Sequence, residues 1–255
     1  MAARSLSKLI TFDATNTILR LKTSVGHEYC AVAKMYGLQG ADNQNMCDRV
    51  DKNFKTVVKE MKQESPMYGI NQGTTNLRWW SEVVKRVLIK TEFPDLKSDD
   101  ARIEQVSVHL YKVFSTSEPY ELVDGVNATL KFLKIAVPRL KLGVISNSDE
   151  RLDEILAQLG VRHYFSFLIL PQLDKVEKPS PEAFALALKK ANINDPSQAL
   201  HVGDSVEKDY LGAKRSSWNA ALIDNTRKSL TCKDINQQDV IKTIQHLTSV
   251  PFFKL

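Results

Sequence analysis

Apolar and polar positions follow two different regimes along this chain. Leu9, Ile10 and Phe12 make a short apolar run with β character that stops at Asp13. Beyond Leu19 the spacing becomes helical. The stretch SVGHEYCAVAKMYG reads as a helix ending at Gly37, a C-terminal stop. MCDRVDKNFKTVVKEMK places Val50, Phe54, Val57 and Val58 on one side. TTNLRWWSEVVKRVLIK opens on a Thr cap and aligns Leu77, Trp80, Val84, Val87 and Leu88. SDDARIEQVSVHLYKVF aligns Ile103, Val106, Leu110, Val113 and Phe114. Helices without a clear strand predict a small helical bundle over residues 20–120.

From Pro119 onward, short apolar runs alternate with helical ones. LKLGVIS, FSFLIL, ALHVG and NAALID read as strands. GVNATLKFLKIAV, DERLDEILAQLG, SPEAFALALKKANI and EKDYLGAKRSS read as helices between them, and INQQDVIKTIQHL as a final helix. Ser180 is the cap and Pro181 the first helical position of the third of these. This alternation predicts an α/β fold with a Rossmann-like parallel sheet covered on both faces. The lone strand at 8–12 belongs to that sheet. Residues 1–19 and 121–255 are therefore expected to form the α/β core, with residues 20–120 inserted as an α-helical domain after the first strand.

Composition narrows the class. The 255 residues are 43% hydrophobic and 25% charged, an ordinary balance for a soluble globular protein. The formal charge of +5 is spread without a basic run interleaved with aromatics, so no nucleic-acid partner is expected. The charge suits a small anionic substrate better than a nucleic acid, although a solvated surface is the favoured explanation of it. No apolar run has transmembrane length, so no membrane partner is expected. Arg4 and Lys8 hint at a targeting peptide, but the first core strand begins near residue 8 and leaves little to remove. The expectation is an intracellular, cytoplasmic protein, with nucleus and mitochondrion left open. Cys30, Cys47 and Cys232 show no metal-ligand spacing and no even pairing, so reduced thiols without a structural disulfide are expected. Nothing in the pattern separates monomer from dimer.

In an open parallel sheet, ligands bind at the carboxyl ends of the strands. Polar groups with chemistry fall there four times. The first strand ends at Asp13, and LKLGVIS runs into SNSD with Ser146 and Asn147. The loop after FSFLIL carries Lys178 in EKPSPEAF. ALHVG runs into GDSVEKD with Asp204 and Asp209. Each alone is an ordinary turn acid, cap or surface lysine. His201, inside its strand, reads as structural. Trp79 and Trp80 read as core, pointing in different directions on their helix. Arg20, Lys22 and His27 lie just past the first motif and are placed to reach a site entrance.

Taken in order, FDATNTI, GVISNSD, EKPSPEAF and HVGDSVEKDYLGA resemble the motifs of the haloacid dehalogenase (HAD) superfamily of hydrolases, with a helical cap inserted after the first motif. YGINQGTTNLRWW resembles the cap of an animal branch of that superfamily. The resemblance implies that Asp13 is a nucleophile forming a covalent aspartyl intermediate. It implies that Ser146 bonds the transferred phosphoryl oxygens, with Asn147 as a further donor, and that Lys178 offsets their charge. It implies Mg²⁺ held by Asp13, the Thr15 backbone carbonyl and Asp204, with Asp209 as a metal or supporting acid. The implied substrate is a phosphate ester or anhydride.

The chain departs from that pattern at one position. Phosphatases of the superfamily place a second Asp two residues after the nucleophile, as general acid and base. Here the position is Thr15, whose hydroxyl does neither at neutral pH. Asn16 follows where Gly is usual, and Asn tolerates a left-handed backbone. Three explanations compete, ranked in this order. The first is a Mg²⁺-dependent phosphohydrolase restricted to good leaving groups. The second is a catalytically inactive binding protein on the same fold. The third is a haloacid dehalogenase, whose first motif also lacks the second acid but which needs no cation site.

Overall fold

The computed structural model describes residues 7–93, 96, 99–224 and 232–249. The chain divides into two compact units, Met1–Arg20 with Leu122–Leu255, and Leu21–Glu121. In chain order the elements are β1 (Leu9–Phe12), β2 (Leu19–Leu21), α1 (Val25–Met35), α2 (Gln44–Glu64), α3 (Asn76–Thr91), α4 (Asp100–Val113) and β3 (Tyr120–Leu122). Then follow α5 (Val126–Ala136), β4 (Lys141–Ile145), α6 (Arg151–Gln158), β5 (Phe167–Ile169), α7 (Pro171–Asp174) and α8 (Pro181–Ala191). β6 (Ala199–Gly203), a π-helical turn (Val206–Leu211), α9 (Gly212–Arg215), β7 (Asn219–Ile223) and β8 (Val240–Ile241) complete the order.

The first unit is an α/β fold. Its six strands run in the order β5-β4-β1-β6-β7-β8, and every neighbouring pair is parallel. Each residue of β1 and β6 is buried, so side chains on both faces are covered, as a parallel sheet requires. Phe12 pairs with Val144 on one side and with Val202 on the other. The chain builds outward from β1 to β4 and β5, then returns to the far side of β1 for β6. The point of reversal therefore lies at the carboxyl end of β1, the position where such sheets bind ligands.

The second unit is helical. Each of α1 to α4 packs on the next, around Tyr29, Val50, Trp79, Val87, Val106 and Leu110. Thr75 caps α3 by accepting from Arg78 N, and Asp99 caps α4 by accepting from Arg102 N. Trp79 is buried and donates its indole N–H to the Ser65 carbonyl at 3.2 Å. Trp80 stacks on Phe54 with ring centroids 6.3 Å apart. β2 and β3 form a separate two-stranded sheet where the chain passes from one unit into the other and back. Lys22 N donates to Pro119 O and Val123 N to Ile18 O, both at 2.9 Å, an antiparallel register.

Two expectations are corrected. Cys30 and Cys47 are joined as a disulfide with Cα atoms 5.8 Å apart, and only Cys232 is free. Counting cysteines could not reveal this, because the pairing depends on how α1 lies against α2. The two helices approach closely at Gly26, where an added Cβ would sit 2.1 Å from the Cys47 carbonyl oxygen. The segment expected as a final helix instead supplies β8 and short 3₁₀ turns at Gln237–Asp239 and Ile244–Ser249. Val240 and Ile241 pair with Leu222 and Ile223, so a strand edge captures two β-branched residues and overrides their helical spacing. Among the described residues, no helix is long and apolar enough to cross a membrane.

Candidate active site

β1 delivers Asp13 to the carboxyl edge of the sheet, anchored by its N–H on the Val202 carbonyl at 2.8 Å. The chain then turns back. Asn16 takes the left-handed conformation (φ 59°) that its position demands, and its N–H donates to Leu19 O at 2.7 Å. Thr15, exposed, lies in this turn two residues past Asp13. The Asn16 side chain reaches Asp204, donating from Nδ2 to Oδ2 at 3.3 Å.

Lys178 is the centre of the cluster. It is 2% exposed, and its Nζ donates to Asp13 Oδ1 at 2.7 Å and to Asp209 Oδ1 at 2.6 Å. The lysine's own backbone is clamped by Asn147, whose Oδ1 accepts from Lys178 N at 2.8 Å while its Nδ2 donates to Lys178 O at 2.7 Å. Asn147 follows directly on Ser146, and Ser146 N donates to Ile169 O at 3.1 Å. The Ser146 hydroxyl is buried beside Ser148, donating to its Oγ at 3.0 Å and accepting from its N–H at 3.2 Å.

Asp209 lies in the π-helical turn, a local widening that recurs at functional sites. Its Oδ2 accepts from Ser205 N at 2.9 Å. Gly203 makes room for it, since a Cβ there would come within 2.3 Å of the Asp209 carboxyl carbon. Asp13, Asp204 and Asp209 together bring one carboxylate oxygen each within 4.8 Å of one another.

Electrostatics follow from burial and from this single cation. Burial pushes the Asp13 carboxyl up to about 6 against the pull of Lys178. Burial also raises Asp204, and the neighbouring Asp209 adds to it. At Asp209 burial acts upward too, but Lys178 and His201 outweigh it and hold the carboxyl well below the usual range. Burial acts to lower Lys178, and the two carboxylates more than reverse it, so the ammonium is retained. Asp13 and Asp209 share the Lys178 ammonium and Asp204 adds a third carboxylate beside them, which leaves an excess of negative charge on hard oxygen donors among the described residues. That donor set fits a small divalent cation such as Mg²⁺.

The sequence reads His201 only as structural and assigns no role to Thr11, Asp149 or Arg151. His201 is fully buried, its Nδ1 2.8 Å from Thr11 Oγ1 and its Nε2 3.1 Å from Asp209 Oδ1. Burial, then the nearby ammonium, pushes its imidazole down to about 4, so the ring is neutral. The available signal was a polar residue in each of two otherwise apolar strands, LITF and ALHVG. Buried Asp149 and half-buried Arg151 form an ion pair a few residues past Ser146, with Nη2 and Oδ2 at 2.6 Å. Arg20 lies 3.5 Å from Asp124, and Lys22 donates to the Glu118 carbonyl at 2.6 Å.

Comparison with known proteins shows the family and the fold. A family model described as haloacid dehalogenase-like hydrolase matches residues 7–216. Haloacid dehalogenase-like hydrolase domain-containing protein 3 of Bos taurus is 32% identical over 223 residues, covering 88% of this chain and 84% of the relative. The crystal structure of 2-haloacid dehalogenase from Pseudomonas syringae superposes with a TM-score of 0.63 at 21% identity, covering 96% of this chain and 98% of that one. The magnesium-bound structure of YfnB from Bacillus subtilis gives 0.67 at 16% identity, with the same coverage. These two likenesses show the fold.

Proposed function

Because the chain belongs to the haloacid dehalogenase-like hydrolase family, we propose that it is a Mg²⁺-dependent phosphohydrolase with Asp13 as nucleophile. The observation that carries this reading is the convergence of Asp13, Asp204 and Asp209 within 4.8 Å of one another, with the Lys178 ammonium bonded to Asp13 and Asp209. A bound Mg²⁺, held by Asp13, Asp204 and the Thr15 carbonyl, would supply positive charge against which an anionic substrate can approach a carboxylate. Asp209 supports this set by holding Lys178.

The residues then divide the work. Lys178 occupies Asp13 Oδ1 and fixes the carboxylate plane. The other Asp13 oxygen attacks phosphorus, forming an acyl phosphate while the bond to the leaving oxygen breaks and that oxygen keeps the electron pair. Water then hydrolyses the acyl phosphate, releasing inorganic phosphate and restoring Asp13. Ser146 and Lys178 bind the phosphoryl oxygens. Asn147, with its amide bonded to both sides of the Lys178 peptide, sets that loop and lies beside the same oxygens. The helical unit serves as the cap that selects the substrate.

Thr15 gives the leaving group no proton. Loss of such help costs roughly 10²–10⁴ in rate, and the cost falls on poor leaving groups. The substrate is therefore a small phosphate ester or anhydride with an acidic leaving group, of the aryl or acyl class. Thr15 also favours the dehalogenase reading, since halide departs unprotonated, but three converging acids have no use in that chemistry.

The test is turnover of purified protein across a leaving-group series, with a chloroacid beside it. Nitrophenyl and acyl phosphates are expected to react with Mg²⁺ and simple alkyl phosphates hardly at all. Asp13→Asn is expected to abolish turnover, and Thr15→Asp to raise alkyl phosphate turnover. Hydrolysis of the chloroacid without metal would reverse the ranking. Equal inertness of wild type and both variants would leave the non-catalytic binder.

A further inference from the structure

We propose that His201, oriented by Thr11, is a positioning residue that fixes how the Lys178 ammonium is shared between Asp13 and Asp209. Thr11 and His201 are direct partners in register across β1 and β6, and both are fully buried. An aliphatic pair at this place would pack into the sheet without cost. A hydroxyl and an imidazole must instead bond each other or lose free energy. They do so at 2.8 Å, and the Phe184 ring stands edge-on to the imidazole at 5.5 Å, walling it in.

The contacts select one tautomer. Asp209 Oδ1, 3.1 Å from Nε2, is an acceptor only, so a bare Nε2 would oppose lone pair to lone pair. Nε2 therefore carries the hydrogen and donates to Asp209, and Nδ1 accepts from the Thr11 hydroxyl. Lys178 Nζ, 3.5 Å from Nε2, stays a neighbour and donates to the two carboxylates instead. Asp209 is then held at three points: Oδ1 by Lys178 and His201, Oδ2 by Ser205 N. A carboxylate satisfied in this way competes less strongly for the ammonium. Without the imidazole donor, Asp209 would draw Lys178 away from Asp13, whose plane the lysine sets. The consequence for rate rests on the phosphohydrolase reading, whereas the positioning does not.

Two measurements on the full chain test this. Nitrogen NMR of the histidine rings is expected to show His201 protonated at Nε2 and bare at Nδ1, and Thr11→Val to lose that single tautomer. An Nδ1–H ring in the wild type would overturn the proposal. In turnover of nitrophenyl phosphate, His201→Leu is expected to lose roughly tenfold to a hundredfold in kcat, the scale of one hydrogen bond to a charged group, with KM little changed. His201→Gln, which restores an N–H donor, is expected to recover most of it. Thr11→Val is expected to lower kcat in the wild type and to add nothing in His201→Leu. An undiminished kcat in a folded His201→Leu protein would overturn the proposal. If the wild type turns over no phosphate, the phosphohydrolase reading fails instead, and the tautomer measurement decides the positioning by itself.

Discussion

At the scale of the residue, the site is a problem in buried charge. Lys178 has almost no contact with solvent and is surrounded by Asp13 and Asp209. Removing one partner from such a cluster leaves the others uncompensated, at a cost of about 3–5 kcal/mol. Lys178→Met is therefore expected to destabilise the metal-free protein by about that amount, and a second change, Asp209→Asn, to return part of it. Urea unfolding in chelator measures both. A Lys178→Met protein as stable as wild type would mean that the carboxylates do not depend on the ammonium. Asp13 and Asp204 were legible in the sequence because each directly follows an apolar run at the end of a strand, and Lys178 and Asp209 because they lie in the segments just beyond such ends. Thr11 and His201 were not, because both lie inside their strands, and only the register of β1 against β6 shows that they meet. The Asn147 clamp was hidden for a similar reason: its partner is the backbone of a residue far along the chain, and backbone atoms leave no mark in a sequence.

At the scale of the element, close approach rather than propensity decides what holds. α1 and α2 touch at Gly26, whose N–H donates to Asp51 Oδ1 at 2.8 Å. Gly26→Ala would drive a methyl into the Cys47 carbonyl. It is expected to cost about 1–3 kcal/mol as overpacking, despite the better helix propensity of alanine. Cys47→Ser opens a bridge between residues separated by 17 in sequence and is expected to cost about 3 kcal/mol. Denaturant melts of the two variants under non-reducing conditions check both values, and reductant should reproduce the second in the wild type alone. Helices α1 to α4 were legible because their apolar stripes are long. The segment carrying β8 was not, because the pull on Val240 and Ile241 comes from an unpaired edge of β7 and not from their own neighbours.

At the scale of the whole molecule, a bound cation is expected to act as a stabiliser of the fold. A ligand held by the folded state at a hundredfold excess over its Kd adds about 2.7 kcal/mol. For a chain of this size that corresponds to a rise of roughly 5–10 °C in Tm. Mg²⁺ is expected to give such a rise and Asp204→Asn to remove most of it. The sign with pH follows from Asp13. Burial raises its carboxyl to about 6, above the ordinary value, so the proton is held more firmly in the folded state than in the unfolded one. Protons then compete with Mg²⁺ as pH falls through that range, and the Mg²⁺-induced rise in Tm should be larger at pH 7 than at pH 5. Melts with Mg²⁺ and with chelator at the two pH values measure it, and a rise independent of pH would remove Asp13 from the cation site.

The small sheet of β2 and β3 bears on how such a chain can find its fold. Phe12 and Val144 are partners in the central sheet, with the entire helical unit between them in sequence. Distant pairings of this kind are ordinarily slow to form, because the chain between them must be closed into a loop. Lys22 bonded to Pro119 and Ile18 to Val123 tie the neck of that loop. Once the neck is tied, the route from β1 to β4 no longer passes through the helices, and the two strands are separated by little more than α5. Tying the neck carries that loop cost in place of the β1–β4 pairing, and the cost grows slowly with length, by about 0.6 kcal/mol for each doubling. With the neck tied, folding of the sheet can proceed as though a far shorter chain were being searched.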